Sequence, residues 1–275
     1  MVKRFWVQLL GTVLPNSYIK GLLTGAQIYQ GPVKGVCAPV LNCYSCPLAY
    51  TSCPIGALQH FMAIKSPPYL LLGTLVPVGV AVGRATCGWI CPFGFLQDLL
   101  YKIKTPKLEL PGWTGYLKYL FLVILVLVIP YLTMEPWFCK LCPQGMIEGG
   151  IPQVLLFPEI RHLVGWLYSV KGVILATFLI LFILIKRPFC RMVCPLGAIF
   201  SFFNKISLLQ ITVDMERCTK CGICRAVCPV DISIYEDPSS LECIRCMECV
   251  RVCPNVHITT LLSPTIKHSL QEGKR

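Results

Sequence analysis

Charge is scarce in this chain. Asp, Glu, Lys and Arg make up 14% of its 275 residues, against 55% hydrophobic. Acid is scarcest, with 13 Asp and Glu beside 25 Lys and Arg, for a formal charge of +12. So little polar surface excludes an ordinary soluble domain, where about a quarter of residues are charged. Histidine is nearly absent too, at four residues. His60 and His162 fall near the ends of apolar runs and His268 in the C-terminal tail, which argues against haem held by intramembrane histidines. There is no dinucleotide fingerprint, no P-loop and no flavinylation signal. No nucleic-acid motif accompanies the positive charge. No small-x-small cleavage site follows the basic start and apolar residues 5–14, so this stretch reads as an uncleaved membrane helix rather than a secretory signal.

What the chain does have is apolar length and cysteine. Mean hydropathy is +0.66, and long apolar runs make this a multi-spanning membrane protein with a soluble tail. Four spans are expected, near 5–28, 57–82, 116–134 and 170–185, with 146–168 along the membrane surface. The first is interrupted by Pro15, Asn16 and Lys20 and is either a kinked span or an interfacial helix. Basic residues orient the set. Arg84, Lys102, Lys104 and Lys107 follow the second span, and Lys186, Arg187 and Arg191 follow the fourth. The positive-inside rule places both groups, both termini and the tail in the cytoplasm. Trp6, Trp113, Tyr116, Trp137, Trp166 and Tyr168 fit an interfacial aromatic belt.

Eighteen cysteines fall in short groups. The tail reads Cys218-x2-Cys221-x2-Cys224-x3-Cys228-Pro and repeats as Cys243-x2-Cys246-x2-Cys249-x3-Cys253-Pro. That is the ligand run of bacterial two-cluster ferredoxins, in which the fourth Cys serves the other run's cluster. The expected sets are Cys218, Cys221, Cys224 with Cys253, and Cys243, Cys246, Cys249 with Cys228, each on a [4Fe-4S] cluster. Asp231–Ile234 and Asn255–Ile258 read as short strands, and His257 as a surface strand residue. A disulfide framework fits poorly, because that class is small and secreted. Zinc suits paired C-x2-C groups, but the triple-Cys runs ending in Cys-Pro favour iron–sulfur.

Upstream, Cys87-x3-Cys91-Pro and Cys190-x3-Cys194-Pro flank the inner ends of spans two and four. Together they supply four thiolates, enough for a third cubane, with Pro starting a helix whose amides favour an anionic cluster. Six further cysteines fall on the opposite face: Cys37, Cys43, Cys46, Cys53, Cys139 and Cys142. Either the first four close a cluster alone, leaving Cys139 and Cys142 as a disulfide or partial site, or that pair joins two of the first group.

The expected architecture is mainly α. A membrane helix bundle with cysteine-rich loops covers residues 1–208, an α+β 2[4Fe-4S] ferredoxin domain 209–262, and a short tail 263–275. Cys87-Gly-Trp-Ile-Cys91-Pro and Cys190-Arg-Met-Val-Cys194-Pro-Leu-Gly, followed by the double run, resemble the NapH/NosR-type membrane polyferredoxins over residues 70–254. The block from Asn42 to Gly56 resembles uncharacterised four-span iron–sulfur proteins. The resemblance implies electron delivery, linked to quinol or ferredoxin, toward extracytoplasmic partners that are often flavoproteins. The chain lacks the flavin domain of the larger members, so any flavin would sit on a partner. The expected function is electron relay between a cytoplasmic or quinone donor and an extracytoplasmic acceptor. The alternatives are an assembly or redox-maintenance factor for a metalloenzyme, and a membrane redox sensor.

Overall fold

A computed structural model describes residues 3–20 and 28–260 of the chain. Two apolar helices dominate it, Gly112–Thr133 with 22 residues and Trp166–Leu184 with 19. At 1.5 Å per residue they measure about 33 and 28 Å, matching a hydrocarbon core of about 30 Å. They run antiparallel. The first begins and the second ends beside the tail, through Lys118 to Glu242 and Lys186 to Asp231. Pro130 has no N–H to give the carbonyl of Val126, and the turns just before it, Leu122–Val128, take the wider π register.

Among the described residues no other helix is both long and apolar enough to cross a membrane. Tyr69–Val82 is apolar but has 14 residues. Arg4–Val13 has 10 and passes into a 3-10 turn at Leu14–Asn16, where Pro15 sits. The expected first span therefore breaks after one short helix, and residues 21–27 lie outside the described residues, as does the tail 263–275.

Four shorter helices begin at a proline that follows a cysteine: Pro54–Ala63, Pro92–Leu100, Pro143–Gly145 and Pro195–Phe203. Proline suits the first helical position, because its missing N–H would have no intrahelical partner there. The helix from Pro143 continues through a π segment, Met146–Gly150, to Leu156. These helices and the two long ones share one core, in which Leu41, Ile55, Phe93, Phe138, Phe182 and Phe200 meet. Phe93 lies edge-on to Phe182 and Phe189. Val40 and Leu41, each 2% exposed, sit in that core. The cysteine-rich loop, expected on the face opposite Cys87 and Cys91, therefore dips into the bundle beside them.

In the tail, β1 (Leu209–Val213) pairs antiparallel with β2 (Val256–Thr260), Ile211 opposite Ile258. The strand expected at 231–234 is absent. Asp231 has a left-handed backbone, φ 57°, which a strand does not accept, and its carboxylate is engaged by Lys186 and Arg225. The strand partner comes instead from the linker before the first cysteine. His257 lies half-buried on β2.

The tail docks on the bundle through its 240–248 loop. Arg84 donates to the Leu241 carbonyl at 2.7 Å, Trp89 Nε1 to the Arg245 carbonyl at 2.9 Å, and Asn204 to the Ser240 and Cys243 carbonyls at 2.9 and 2.7 Å. Of the basic flanks, Arg84, Arg187 and Arg191 are buried, at 0%, 1% and 8% exposed.

Candidate metal centres

The structure gathers sixteen of the eighteen cysteines into four groups of four. All eighteen are free thiols. The distal tail group, Cys218, Cys221, Cys224 and Cys253, lines a cavity of about 160 Å3. The proximal tail group, Cys228, Cys243, Cys246 and Cys249, lines a smaller one of about 20 Å3 that Cys224 also touches. The crossed pairing comes from two one-turn helices. Ile223–Ala226 stands between Cys221 and Cys228, and Glu248–Val252 carries Cys249 toward Cys253. Gly222, Arg245 and Met247 take left-handed backbone (φ 78°, 47° and 62°), which folds each run around its cavity.

The central group joins Cys87 and Cys91 to Cys190 and Cys194. Burial pushes the Cys91 thiol up to about 12, with Cys87 and Cys190 adding to it. Cys194 is raised by burial and then by Cys190, Cys87 and Cys91. The loop group joins Cys43 and Cys53 to Cys139 and Cys142. Burial pushes Cys43 up to about 12, with Glu148 and Cys142 adding. It pushes Cys139 to about 12 as well, with Cys142 adding. Cys53 is raised by burial and by Cys139. Thiols held this high lose their protons only to a cationic partner, so metal or cluster binding here releases protons. The loop group lines a cavity of about 870 Å3 with His60 and Lys171 on its wall.

The structure brings Cys139 and Cys142 to the same cavity as Cys37, Cys43 and Cys53. Cys37 lines the same cavity, with its sulfur 3.5 Å from Ser52 Oγ. Cys46 lies apart, facing Glu148 and Lys34, its thiol raised by burial to about 11.

A pattern not read from the sequence now stands out. Cys53-Pro-Ile-Gly-Ala-Leu-Gln59 and Cys91-Pro-Phe-Gly-Phe-Leu-Gln97 share one form, and Cys142-Pro-Gln-Gly and Cys194-Pro-Leu-Gly share its first half. In each, the cysteine is the helix N-cap in extended backbone. At Cys194 the glycine amide three residues on donates to the sulfur at 3.3 Å, the role an oxygen plays in ordinary capping, and at Cys53, Cys91 and Cys142 the matching amide lowers the thiol's pKa without closing a cap hydrogen bond. The glutamines reach the opposite half of each group. Gln97 donates to Cys190 Sγ at 3.1 Å and Gln59 to Cys139 Sγ at 3.1 Å. The central and loop groups are thus two copies of one device. The repeated Cys-Pro-x-Gly-x-Leu-Gln was the signal that could have shown it.

These features fit [4Fe-4S] clusters. Every group offers four sulfurs, and amide donors aimed at sulfur are among the devices that tune such clusters. Among the described residues no three His, Cys, Asp or Glu side chains converge as a single metal ion requires.

The groups also stand in series. Cys224 touches both tail cavities. A Cβ on Gly88, next to Cys87, would lie 2.4 Å from the Ile244 carbonyl and 3.5 Å from the Cys246 Cα, so the central and proximal groups are in backbone contact. The Leu41 amide lies close enough to the Cys91 thiol to lower its pKa, and Cys43 is two residues on, at most about 8 Å along the chain.

A 4Fe-4S binding domain family matches residues 66–111 and 117–152, and a 4Fe-4S dicluster domain family matches 188–232. An uncharacterized protein of Methanocaldococcus jannaschii is 32% identical over 217 residues, covering 74% of this chain and 84% of that protein. The ferredoxin-type protein NapH of Escherichia coli is 24% identical over 73% of this chain and 71% of its own. The regulatory protein NosR of Stutzerimonas stutzeri is 28% identical over 59% of this chain and 22% of its own. No solved structure matches the chain.

Proposed function

Because the chain belongs to the NapH/NosR-type polyferredoxins, ferredoxin-type electron-transfer proteins with multiple [4Fe-4S] clusters, we propose that it is a membrane conduit moving single electrons through four such clusters in series. Each cluster supplies one-electron chemistry, its core alternating between charges 2+ and 1+. The holders are Cys218, Cys221, Cys224 and Cys253; Cys228, Cys243, Cys246 and Cys249; Cys87, Cys91, Cys190 and Cys194; and Cys43, Cys53, Cys139 and Cys142.

The observation that supports this reading is the close succession of groups: Cys224 lines both tail cavities, Gly88 packs on the Ile244 carbonyl, and Leu41, beside Cys91, is two residues from Cys43. It answers the difficulty that a hydrocarbon core of about 30 Å poses for clusters on two faces. Lys171 acts on Cys43, Cys139 and Cys142 and stands about 20 Å of helix rise from Leu184 at the tail end of its span. The loop group therefore lies well across the bundle, while the chain from Cys43 to Leu41 returns to the central group.

In this reading Gly112–Thr133 and Trp166–Leu184 cross the membrane, Tyr69–Val82 completes the bundle, and the tail faces the cytoplasm. Cys221, the exposed cysteine of the distal group, meets the cytoplasmic partner. The loop group serves an acceptor or donor on the other side, a redox protein such as a flavoprotein or a quinone.

Anaerobic purification with iron and sulfide quantification and EPR tests the cluster count. About sixteen irons and sixteen sulfides per chain are expected for four cubanes. Zinc without sulfide would end the proposal. Transfer is tested in proteoliposomes with a low-potential donor outside and an enclosed acceptor dye. Steady turnover supports the conduit. A requirement only during a partner's maturation, or reversible oxidation without turnover, would favour the assembly or sensor alternatives.

A further inference from the structure

The central motif occurs twice as Arg-x2-Cys-x3-Cys-Pro-x-Gly, at Arg84–Gly94 and Arg187–Gly197. The two arginines are exchanged between the motifs. Arg84 NH2 donates to the Cys190 carbonyl at 3.1 Å, and Arg187 NH1 to the Cys87 carbonyl at 2.8 Å. Each passes over the other motif's glycine. A Cβ on Gly197 would lie 3.0 Å from Arg84 NH2, and one on Gly94 3.1 Å from Arg187 NH1. A side chain there would displace the guanidinium.

Each arginine belongs to a trio with one carboxylate and a second cation. Arg187 grips Asp98 through Nε to Oδ1 at 2.7 Å and NH2 to Oδ2 at 2.6 Å, and Arg4 holds the same carboxylate. Arg84 meets Glu242 at 3.3 Å, and Lys118 holds the other oxygen. Formal charges sum to +1 in each trio and +2 for the pair. Glu248, 3.9 Å from Arg4, is itself paired with Arg251. Buried ion pairs of equal and opposite charge would leave nothing over. Here one cation is in excess on each side. The Arg84 Nε, Thr86 Oγ1 and Gln97 Oε1 atoms at and beside the first motif are buried with no hydrogen-bond partner among the described residues, unusual for interior polar atoms.

We propose that the Arg84 and Arg187 trios hold the cluster on Cys87, Cys91, Cys190 and Cys194 at a more positive potential than the loop and distal tail clusters, so that electrons passing along the series rest at the inner end of the tail rather than at either terminus. This rests on the central group holding a [4Fe-4S] cluster. Four thiolates and a 2+ core sum to −2, which the trios offset. An electron taken from the proximal tail cluster, whose core goes from 1+ to 2+ as the central core goes from 2+ to 1+, makes the centre −3. Fixed buried cations favour that added charge, because the water that would screen them is excluded. The loop group has a different balance, with Lys171 and the Glu148 carboxylate, which accepts from the Cys43 amide at 2.6 Å, acting on its thiols. The distal tail group borders solvent.

The test is an EPR-monitored redox titration of the full-length chain purified anaerobically. The central signal is the one lost, with about four irons, in Cys91→Ser. It should titrate above the loop and distal tail signals in the unsubstituted protein. Arg84→Gln should lower it by at least a tenfold change in the ratio of reduced to oxidised centre, about 59 mV for a one-electron couple. Arg84→Lys should restore most of that change. Glu242→Gln, which removes the anion, should shift it the opposite way. A purely structural role would not give shifts of opposite sign. Unchanged potentials, or shifts in the same direction, would overturn the inference. If Arg84→Gln fails to retain the cluster, Glu242→Gln decides alone, and no positive shift refutes it. If Cys91→Ser loses neither iron nor a signal, the cluster assignment itself has failed, a result distinct from an intact signal that ignores the arginines.

Discussion

Replacing Gly88 by alanine should separate the tail from the bundle without touching a cysteine. A methyl there would lie 2.4 Å from the Ile244 carbonyl, where ordinary contact begins at 3.4 Å, so the two backbones must part by 3.4 − 2.4 = 1.0 Å. The neighbour is backbone within the 243–247 loop, held by Trp89 to the Arg245 carbonyl and by Asn204 to the Cys243 carbonyl, so it cannot swing aside as a side-chain tip would. Gly88 is also pinned from behind, its carbonyl accepting from Arg4 at 2.9 Å and Gln8 at 3.2 Å. Overpacking of this kind costs about 1–3 kcal/mol, which lowers the ratio of docked to undocked tail about 5- to 150-fold. Rapid-mixing reduction with a low-potential donor, followed by freeze-quench EPR, should show the tail signals appearing at the unsubstituted rate and the central signal delayed. Hydrogen exchange should rise across residues 240–247, with total iron unchanged. If the central signal appears as fast as before, backbone contact at Gly88 is not the path between the groups.

Cys37→Ser and Cys46→Ser should leave iron content unchanged. Cys43→Ser and Cys139→Ser should each lose about four irons per chain, and equal losses from all four would refute the grouping. Gln97→Leu should lower the potential of the central signal alone and Gln59→Leu that of the loop signal alone, because each removes one amide donor to sulfur. EPR titration of the two variants would check this and assign the signals. Asp98→Asn leaves two buried cations without their carboxylate and should cost about 3–5 kcal/mol, read as a loss in melting temperature. Burial raises the Asp98 pKa, but Arg187 and Arg4 outweigh it and hold the carboxyl below its ordinary value. Its contribution is therefore complete above the unfolded carboxyl's pKa and is lost as pH falls through the lower folded value. The difference in melting temperature between the two proteins should shrink in that acid range and stay constant above it.

Much of the tail was legible because its ligands are local. Three cysteines of each set lie within one turn-forming run, and the fourth follows at a fixed spacing, so Cys218 to Cys253 could be divided before any fold was known. The strand at 231–234 was misread because alternating apolar residues do not reveal a left-handed Asp231 or the call of Lys186 and Arg225 on its carboxylate. The two long apolar helices, Gly112–Thr133 and Trp166–Leu184, were legible as apolar length. Helix length was not legible near the N-terminus, where Pro15 ends a ten-residue helix that composition alone would let run on.

The sequence by itself determined that the chain is apolar, helical and built to hold several iron–sulfur clusters, because cysteine spacing and hydropathy are properties of neighbouring residues. Only the tertiary structure decided which of the six loop cysteines meet, since Cys53 and Cys142 approach through two separate Cys-Pro helix starts rather than through any shared run. It also decided what the arginines do. A basic residue after an apolar helix looks the same in sequence whether it is solvated at a membrane face or buried against another motif. Arg84 and Arg187 are buried because Asp98 and a glutamate from the tail, Glu242, arrive to meet them, and that encounter exists only when the chain is folded.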